Sequence, residues 1–184
     1  NVRSHGYAYK DTTTSPVKIH SGYSSKSFIS EKMEVFDSLH LSESGLSKKV
    51  FEMALRGMFK LVKNGHIKNN ILSIVDFSQP STSKRLYVID LDNYFLLYNT
   101  WVAHGSKTGK TAATYFSNKP SSHKSSLGFY VTGETYKGSN GYSLKLLGME
   151  KGINDYALRP GIVMHGAEYV SKEYIASQGL IGRR

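Results

Sequence analysis

Two histidines stand where a histidine can do chemistry. His104-Gly105 follows Trp101-Val102-Ala103, and His165-Gly166 follows Ile162-Val163-Met164, so each ends an apolar run that reads as a strand. A histidine there can project from a sheet into a cleft, and the glycine after it lets the chain turn and a substrate approach without meeting a Cβ. Imidazole suits proton transfer near neutral pH, which makes both candidates for a general acid or base. The plainer alternative is a structural histidine satisfied by its neighbours. A zinc site built from His104, His123 and His165 lacks local ligand spacing such as H-E-x-x-H, so no metal and no other cofactor is expected.

Other routes to catalysis are poorly supplied. The 184 residues contain no cysteine, which removes disulfides, thiolate zinc sites and thiol catalysis by these residues. No G-x-S-x-G elbow occurs, and Ser121-Ser122-His123-Lys124-Ser125-Ser126 reads as a loop more than a positioned nucleophile. Gly105-Ser106-Lys107-Thr108-Gly109-Lys110-Thr111 ends in Gly-Lys-Thr, but the glycine spacing ahead of it is not that of a phosphate-binding loop.

Charge points to an anionic partner. Lys plus Arg total 24 against 14 Asp plus Glu, a net +10, which favours association with an anionic polymer or cell envelope. No acidic residue falls between Asp92 and Glu134, whereas Lys107, Lys110, Lys119 and Lys124 do, with His104 and His123. That segment reads either as a solvated lysine surface or as a field that attracts an anionic ligand, with glycines and hydroxyls allowing close contact. Nucleic acid fits the charge, but the basic residues form no recognisable binding helix or ribonucleoprotein-type motif, so no nucleic-acid partner is expected. No apolar run reaches the roughly 18 residues of a membrane span.

The elements that must position these groups are an amphipathic helix and a set of strands. Val50, Phe51, Ala54, Leu55, Met58, Leu61 and Val62 recur at three- and four-residue spacings, predicting a helix between Leu46 and Asn64 with its apolar face in the core. Ser47 is its expected cap, Glu52 precedes Arg56 by one turn, and Asn64-Gly65 supplies the stop. Strands are expected over Ile71 to Phe77, Arg85 to Leu91, Tyr94 to Ala103, Leu127 to Thr132, Tyr142 to Leu147 and Gly161 to His165. Asp92-Asn93 is expected to make a tight two-residue hairpin turn. Residues 1–40, rich in Ser, Thr, Tyr and Lys near the start, are expected to form an extended arm. Strands without regular intervening helices imply a mainly β, α+β fold, with the helix packed on an antiparallel or mixed sheet.

Several ordered motifs in the C-terminal half carry a resemblance. Ala103-His104-Gly105, Tyr115-Phe116-Ser117-Asn118, Ser125-Ser126-Leu127-Gly128, Gly141-Tyr142-Ser143-Leu144 and Ile162-Val163-Met164-His165-Gly166-Ala167 together resemble the YkuD-like L,D-transpeptidase catalytic domain, in its murein subfamily. The resemblance runs from about Leu41 to Arg184 and implies a domain over 41–184 with a curved, sandwich-like β fold and a cleft open on one side. It implies an enzyme acting on bacterial peptidoglycan stem peptides. A cysteine thiolate attacks the carbonyl of the donor's third residue, expels the terminal D-amino acid and forms a thioester, which an acceptor amine then resolves. His165 and Gly166 match the catalytic His-Gly motif, with His165 activating the thiol. His104, Ser117, Asn118, Ser126 and Gly128 match motifs implied to lie near the substrate.

Two departures stand out. Ser139-Asn140 occupies the turn before Gly141, where a basic or histidine-containing turn is expected. The nucleophile's S-x-G-C context should begin where the sequence reaches Gly182-Arg183-Arg184. The expectation is therefore a catalytic domain cut short before its nucleophile, inactive as it stands. The wider expectations are a monomeric, exported envelope protein with transpeptidase activity. L,D-carboxypeptidase or wall-protein-releasing hydrolysis at the same site, and non-catalytic wall binding through Trp101 and the tyrosines, are the alternatives.

Overall fold

A computed structural model describes Val17, residues 23–158 and residues 162–182. The described residues form two three-stranded antiparallel sheets, neither closed, and three α-helices, a mixed α+β architecture consistent with the expected fold.

The helix read from periodicity is α2, Lys48–Lys63. Ser47 caps it by accepting from Val50 N at 3.2 Å, and Arg56 bonds Glu52 at 2.6 Å. Phe51, Leu55, Met58 and Val62 are buried from this helix, at the spacing that one apolar face requires.

The extended arm is corrected over its last part. Residues 25–38 form helix α1, Ser25–Ser38, capped by Ser24 accepting from Ser27 N at 3.0 Å. Phe28, Ile29, Val35 and Phe36 enter the core, where Phe28 meets Phe59 and Phe36 meets Phe51 at ring separations of 5.6 and 5.4 Å. A chain segment that buries four apolar side chains is part of the folded unit, since burying each is worth about 1.5–3 kcal/mol. The earlier part of the expected arm, residues 1–16 and 18–22, lies outside the described residues.

The first sheet has the order β1-β2-β3, from Ile71–Val75, Leu86–Asp90 and Phe95–Thr100. Ile74, Tyr87, Ile89 and Leu91 complete the core beneath α1 and α2. The two-residue turn gives way to a longer one: Asp90 pairs with Phe95, leaving Leu91 to Tyr94 between the strands. Asp90 causes this, because its carboxylate accepts from the N–H groups of Asp92 and Asn93 and from the Asn93 amide. That short acceptor builds the turn from the side chain, and Tyr94 takes the left-handed position at φ 56°.

The second sheet has the order β4-β5-β6, from Tyr130–Gly138, Gly141–Gly148 and Val163–His165. A single 3-10 turn, Asp155–Leu158, and a short helix α3, Lys172–Gln178, follow β5 and β6. Gly57 of α2 lies so close to the Phe129 ring that a Cβ would overlap it, which couples the helical layer to the entrance of β4.

Leu55→Ala and Phe28→Ala are each expected to destabilise the protein, by about 2–5 and 3–5 kcal/mol respectively. Urea unfolding measures both. A negligible loss at Phe28 would show that α1 does not contribute to the core.

Candidate active site

His165 ends β6, directly opposite Ser143 of β5. Its Nδ1 lies 2.8 Å from the Gly166 carbonyl oxygen. A carbonyl only accepts, so Nδ1 carries a proton, and in the neutral ring Nε2 is the nitrogen with the lone pair. That tautomer suits a base, with Nε2 the atom that takes a proton. Gly166 is exposed, and the direction its Cβ would take is open space.

The second His-Gly pair is built differently. His104 is 3% exposed, between Arg85 Nη2, 2.8 Å from Nδ1, and the Gly109 carbonyl, 3.2 Å from Nε2. Guanidinium only donates, so Nδ1 accepts and Nε2 donates to Gly109. The neutral ring thus bridges the first sheet to the loop beyond Gly105. His104 lies in the interior, where it shapes the loop.

Arg85 is the unforeseen centre of this arrangement. It is fully buried, donates to the Val102 and Gln79 carbonyls, and stacks on Phe77 at 5.0 Å. Burial pulls its pKa down to about 10, with nearby Asp76 opposing the shift. In sequence Arg85 reads as one more basic residue at the start of a strand, and only tertiary burial distinguishes it.

The remaining expected site residues belong to one hydrogen-bonded loop system. Gly105 N donates to Ser125 Oγ at 3.0 Å, Ser125 N to Thr108 Oγ1 at 2.7 Å, and Ser117 N to the Ser125 carbonyl at 3.0 Å. Ser126 Oγ donates to the Ser117 carbonyl at 2.8 Å. Asn118 reaches the 3-10 turn, donating to Asp155 Oδ1 at 2.7 Å and accepting from Tyr156 N at 3.2 Å. The Asn118 amide and the Gly152 N–H hold the Asp155 carboxyl below its ordinary pKa. The sequence motifs around His104, Ser117, Asn118, Ser126 and Gly128 are thus brought together, while His165 ends the edge strand of the second sheet and Gly166 follows it.

Gly128 sits at φ +107°, a conformation that favours glycine, and a Cβ there would come 2.7 Å from Asn154 Nδ2. Asn154 is fully buried and ties this corner together. It donates to the Leu127 and Phe129 carbonyls at 3.2 and 3.0 Å and accepts from Glu150 N at 2.9 Å, while Glu150 Oε2 accepts from Phe129 N at 2.9 Å. Nothing in the local sequence flags Asn154, because its role exists only once the two segments meet.

Of the lysines in the acid-free stretch, Lys107, Lys110 and Lys119 are exposed and Lys124 lies over Tyr115 at 5.7 Å. His123 is exposed in the serine-rich loop at φ 56°, and its carbonyl accepts from Lys107 N at 2.9 Å. Among the described residues, no group of three His, Cys, Asp or Glu side chains is placed to hold a metal ion, and no helix is long and apolar enough to cross a membrane.

No curated protein and no solved structure matches the chain. Among protein families, the L,D-transpeptidase catalytic domain matches residues 42–184, a stretch that includes α2, both sheets, the Ser117–Gly128 loop and the His165-Gly166 pair. The chain belongs to the L,D-transpeptidase catalytic domain family.

Proposed function

We propose that the protein is a peptidoglycan L,D-transpeptidase in which His165 is the general base and acid. Its Nε2 takes the proton of a thiol, and the thiolate attacks the carbonyl carbon of the donor stem peptide's third residue. The C–N bond to the terminal D-amino acid breaks, and the imidazolium returns the proton to the leaving amine. The thioester is resolved when an acceptor amine, deprotonated by Nε2, attacks it and expels the thiol. The 184 residues supply no cysteine, so this activity is assigned to protein that carries a thiol within reach of His165. The observation that carries the reading is the His165 ring itself, whose Nδ1 donates to the Gly166 carbonyl so that in the neutral form Nε2 is the acceptor.

Gly166 serves by leaving the approach to His165 open. Ser117, Asn118, Ser126 and Gly128 form the wall that shapes the substrate channel, and His104 positions that wall from inside. The catalytic unit spans 41–184 together with α1, acts as a monomer, and works outside the cytoplasm in the cell envelope.

Incubating the protein, expressed from its whole reading frame, with a stem tetrapeptide and separating the products tests this. Cross-linked dimer is the expected product, and tripeptide alone would reassign the site to L,D-carboxypeptidase hydrolysis. A second reading, a basic wall-binding protein without turnover, draws on the net charge of +10 and on exposed Tyr98, Tyr115 and Tyr142. Binding to purified sacculi with no product would favour it.

A further inference from the structure

The four lysines of the acid-free stretch have no role in the account so far, and the backbone gathers them on one bonded support. Thr108 is fully buried. Its hydroxyl accepts from Ser125 N at 2.7 Å, and its carbonyl accepts from Thr114 N and Tyr115 N, each at 2.8 Å. The 105–108 segment lies against 123–125: Lys107 N donates to the His123 carbonyl at 2.9 Å, and a Cβ on Gly105 would come 3.0 Å from the Lys124 carbonyl carbon. The 117–119 segment joins them, since Ser117 N donates to the Ser125 carbonyl at 3.0 Å and Lys119 N donates to Ser117 Oγ at 3.1 Å. Three chain segments are thus tied together through Ser125, and each carries a lysine, at 107, 124 and 119. Lys110 follows Gly109, whose carbonyl is held by the buried His104 ring.

The charges on this support are uncompensated. Lys107, Lys110 and Lys119 are exposed, and Lys124 Nζ lies over the Tyr115 ring, a contact that leaves its charge in place. Among the described residues, none of the four forms an ion pair. The carboxylate bonded to this loop system, Asp155, is engaged by the Asn118 amide and the Gly152 N–H. Unpaired like charges held close together raise the local potential for an anion.

We infer that these loops are a docking site for a linear phosphodiester polymer, independent of the chemistry at His165. Residues 86–158 hold no arginine. The cations are therefore point charges that follow the phosphates of a flexible chain, not planar forks that fix one group in one geometry. Exposed Ser106, Thr114 and Ser121 add hydroxyl donors for phosphate oxygens. A single-stranded nucleic acid calls for rings on which successive bases stack, and the exposed ring in these loops, Tyr115, already lies under Lys124. An anionic bilayer is met best by an amphipathic helix with an apolar face, and these lysines stand on loops.

Fluorescence anisotropy of a labelled glycerol phosphodiester oligomer, titrated with the full chain at several salt concentrations, tests the site without turnover. Four contacts, at about 0.7 per charge neutralised, should give a log–log salt slope near −3. Glutamine at Lys107, Lys110, Lys119 and Lys124 together should weaken binding at low salt by about tenfold or more and flatten the slope. Lys107→Gln with Lys119→Gln alone, both exposed, should remove about half of the slope, which keeps the test open if the fourfold variant melts early. Glutamine at Lys26, Lys49, Lys60 and Lys68, exposed lysines elsewhere, removes the same charge and should cost far less affinity. Equal losses from the two fourfold sets would reduce the effect to net charge and overturn the site, as would a wild type that does not bind the oligomer. Tighter binding of a single-stranded DNA of equal charge, or binding confined to phosphatidylglycerol vesicles, would overturn it in favour of nucleic acid or membrane.

Discussion

Replacing His165 by alanine is expected to slow thioester formation by on the order of 10²–10⁴-fold, the usual contribution of a positioned acid–base group, with no change in melting temperature. His165 is half-buried on an edge strand, and its pairing with β5 runs through the backbone. The side chain's described hydrogen bond goes to the adjacent Gly166 carbonyl, so its loss costs the fold little. Mass-resolved acylation kinetics measure the rate. Near-wild-type acylation in the alanine variant would remove His165 from the chemistry, and a collapsed melting temperature would make it a structural residue.

A methyl group at Gly148 should do the opposite, damaging the fold first and activity in consequence. A Cβ on Gly148 would overlap the Asn154 carbonyl oxygen and stand 2.6 Å from its carbonyl carbon. Both are backbone atoms that cannot swing aside. The clash can be relieved only by moving the end of β5 away from the 149–154 turn, which breaks the bonds Asn154 makes to Leu127 and Phe129. Gly148→Ala is expected to cost more than about 3 kcal/mol, at the upper end of overpacking effects, and to loosen the Gly128 corner. Gly133→Ala is the control, because its Cβ would meet Lys145 Cβ and Leu147 Cδ2 at ordinary contact, 3.4 and 3.5 Å. Denaturant unfolding of both variants checks the contrast, and equal stabilities would contradict the packing described here.

The sequence was most legible where a single physical pattern ran uninterrupted. The three- and four-residue spacing of Phe51, Leu55, Met58 and Val62 located α2 and its burial face. The apolar runs around Ile74 and Ile89 located β1 and β2. Helix α1 carries comparable spacing at Ile29, Met33 and Phe36, but it follows a Ser-, Thr- and Lys-rich stretch without a period and reads as part of the same arm. Strand β4 runs to Gly138, beyond the expected end at Thr132, because Thr-Gly-Glu-Thr-Tyr-Lys-Gly shows no apolar alternation and is paired by the more apolar β5. Helix α3 is seven residues long, too short for periodicity to show.

The site divides along the same line. Two His-Gly pairs look alike in sequence, yet one ring is buried against Arg85 and the other stands on an edge strand. Exposure, which separates a structural imidazole from one open to a substrate, depends on contacts between distant segments. The same holds for Arg85 and Asn154, whose partners lie as far away as Val102 and Leu127. The pairing of His165 with Ser143 is a property of strand register, which hydrophobic pattern alone specifies weakly in so short a strand.

The central claim is that His165 serves a thiol in acyl transfer from a peptidoglycan stem peptide. Intact-mass spectrometry of the protein expressed from its whole reading frame, quenched during reaction with a stem tetrapeptide, addresses it most directly. The expected result is an adduct equal to the tripeptide acyl group, released by hydroxylamine and mapped to a cysteine, and absent from His165→Ala. An unmodified mass at substrate concentrations that saturate binding, or an equal adduct in His165→Ala, would contradict it.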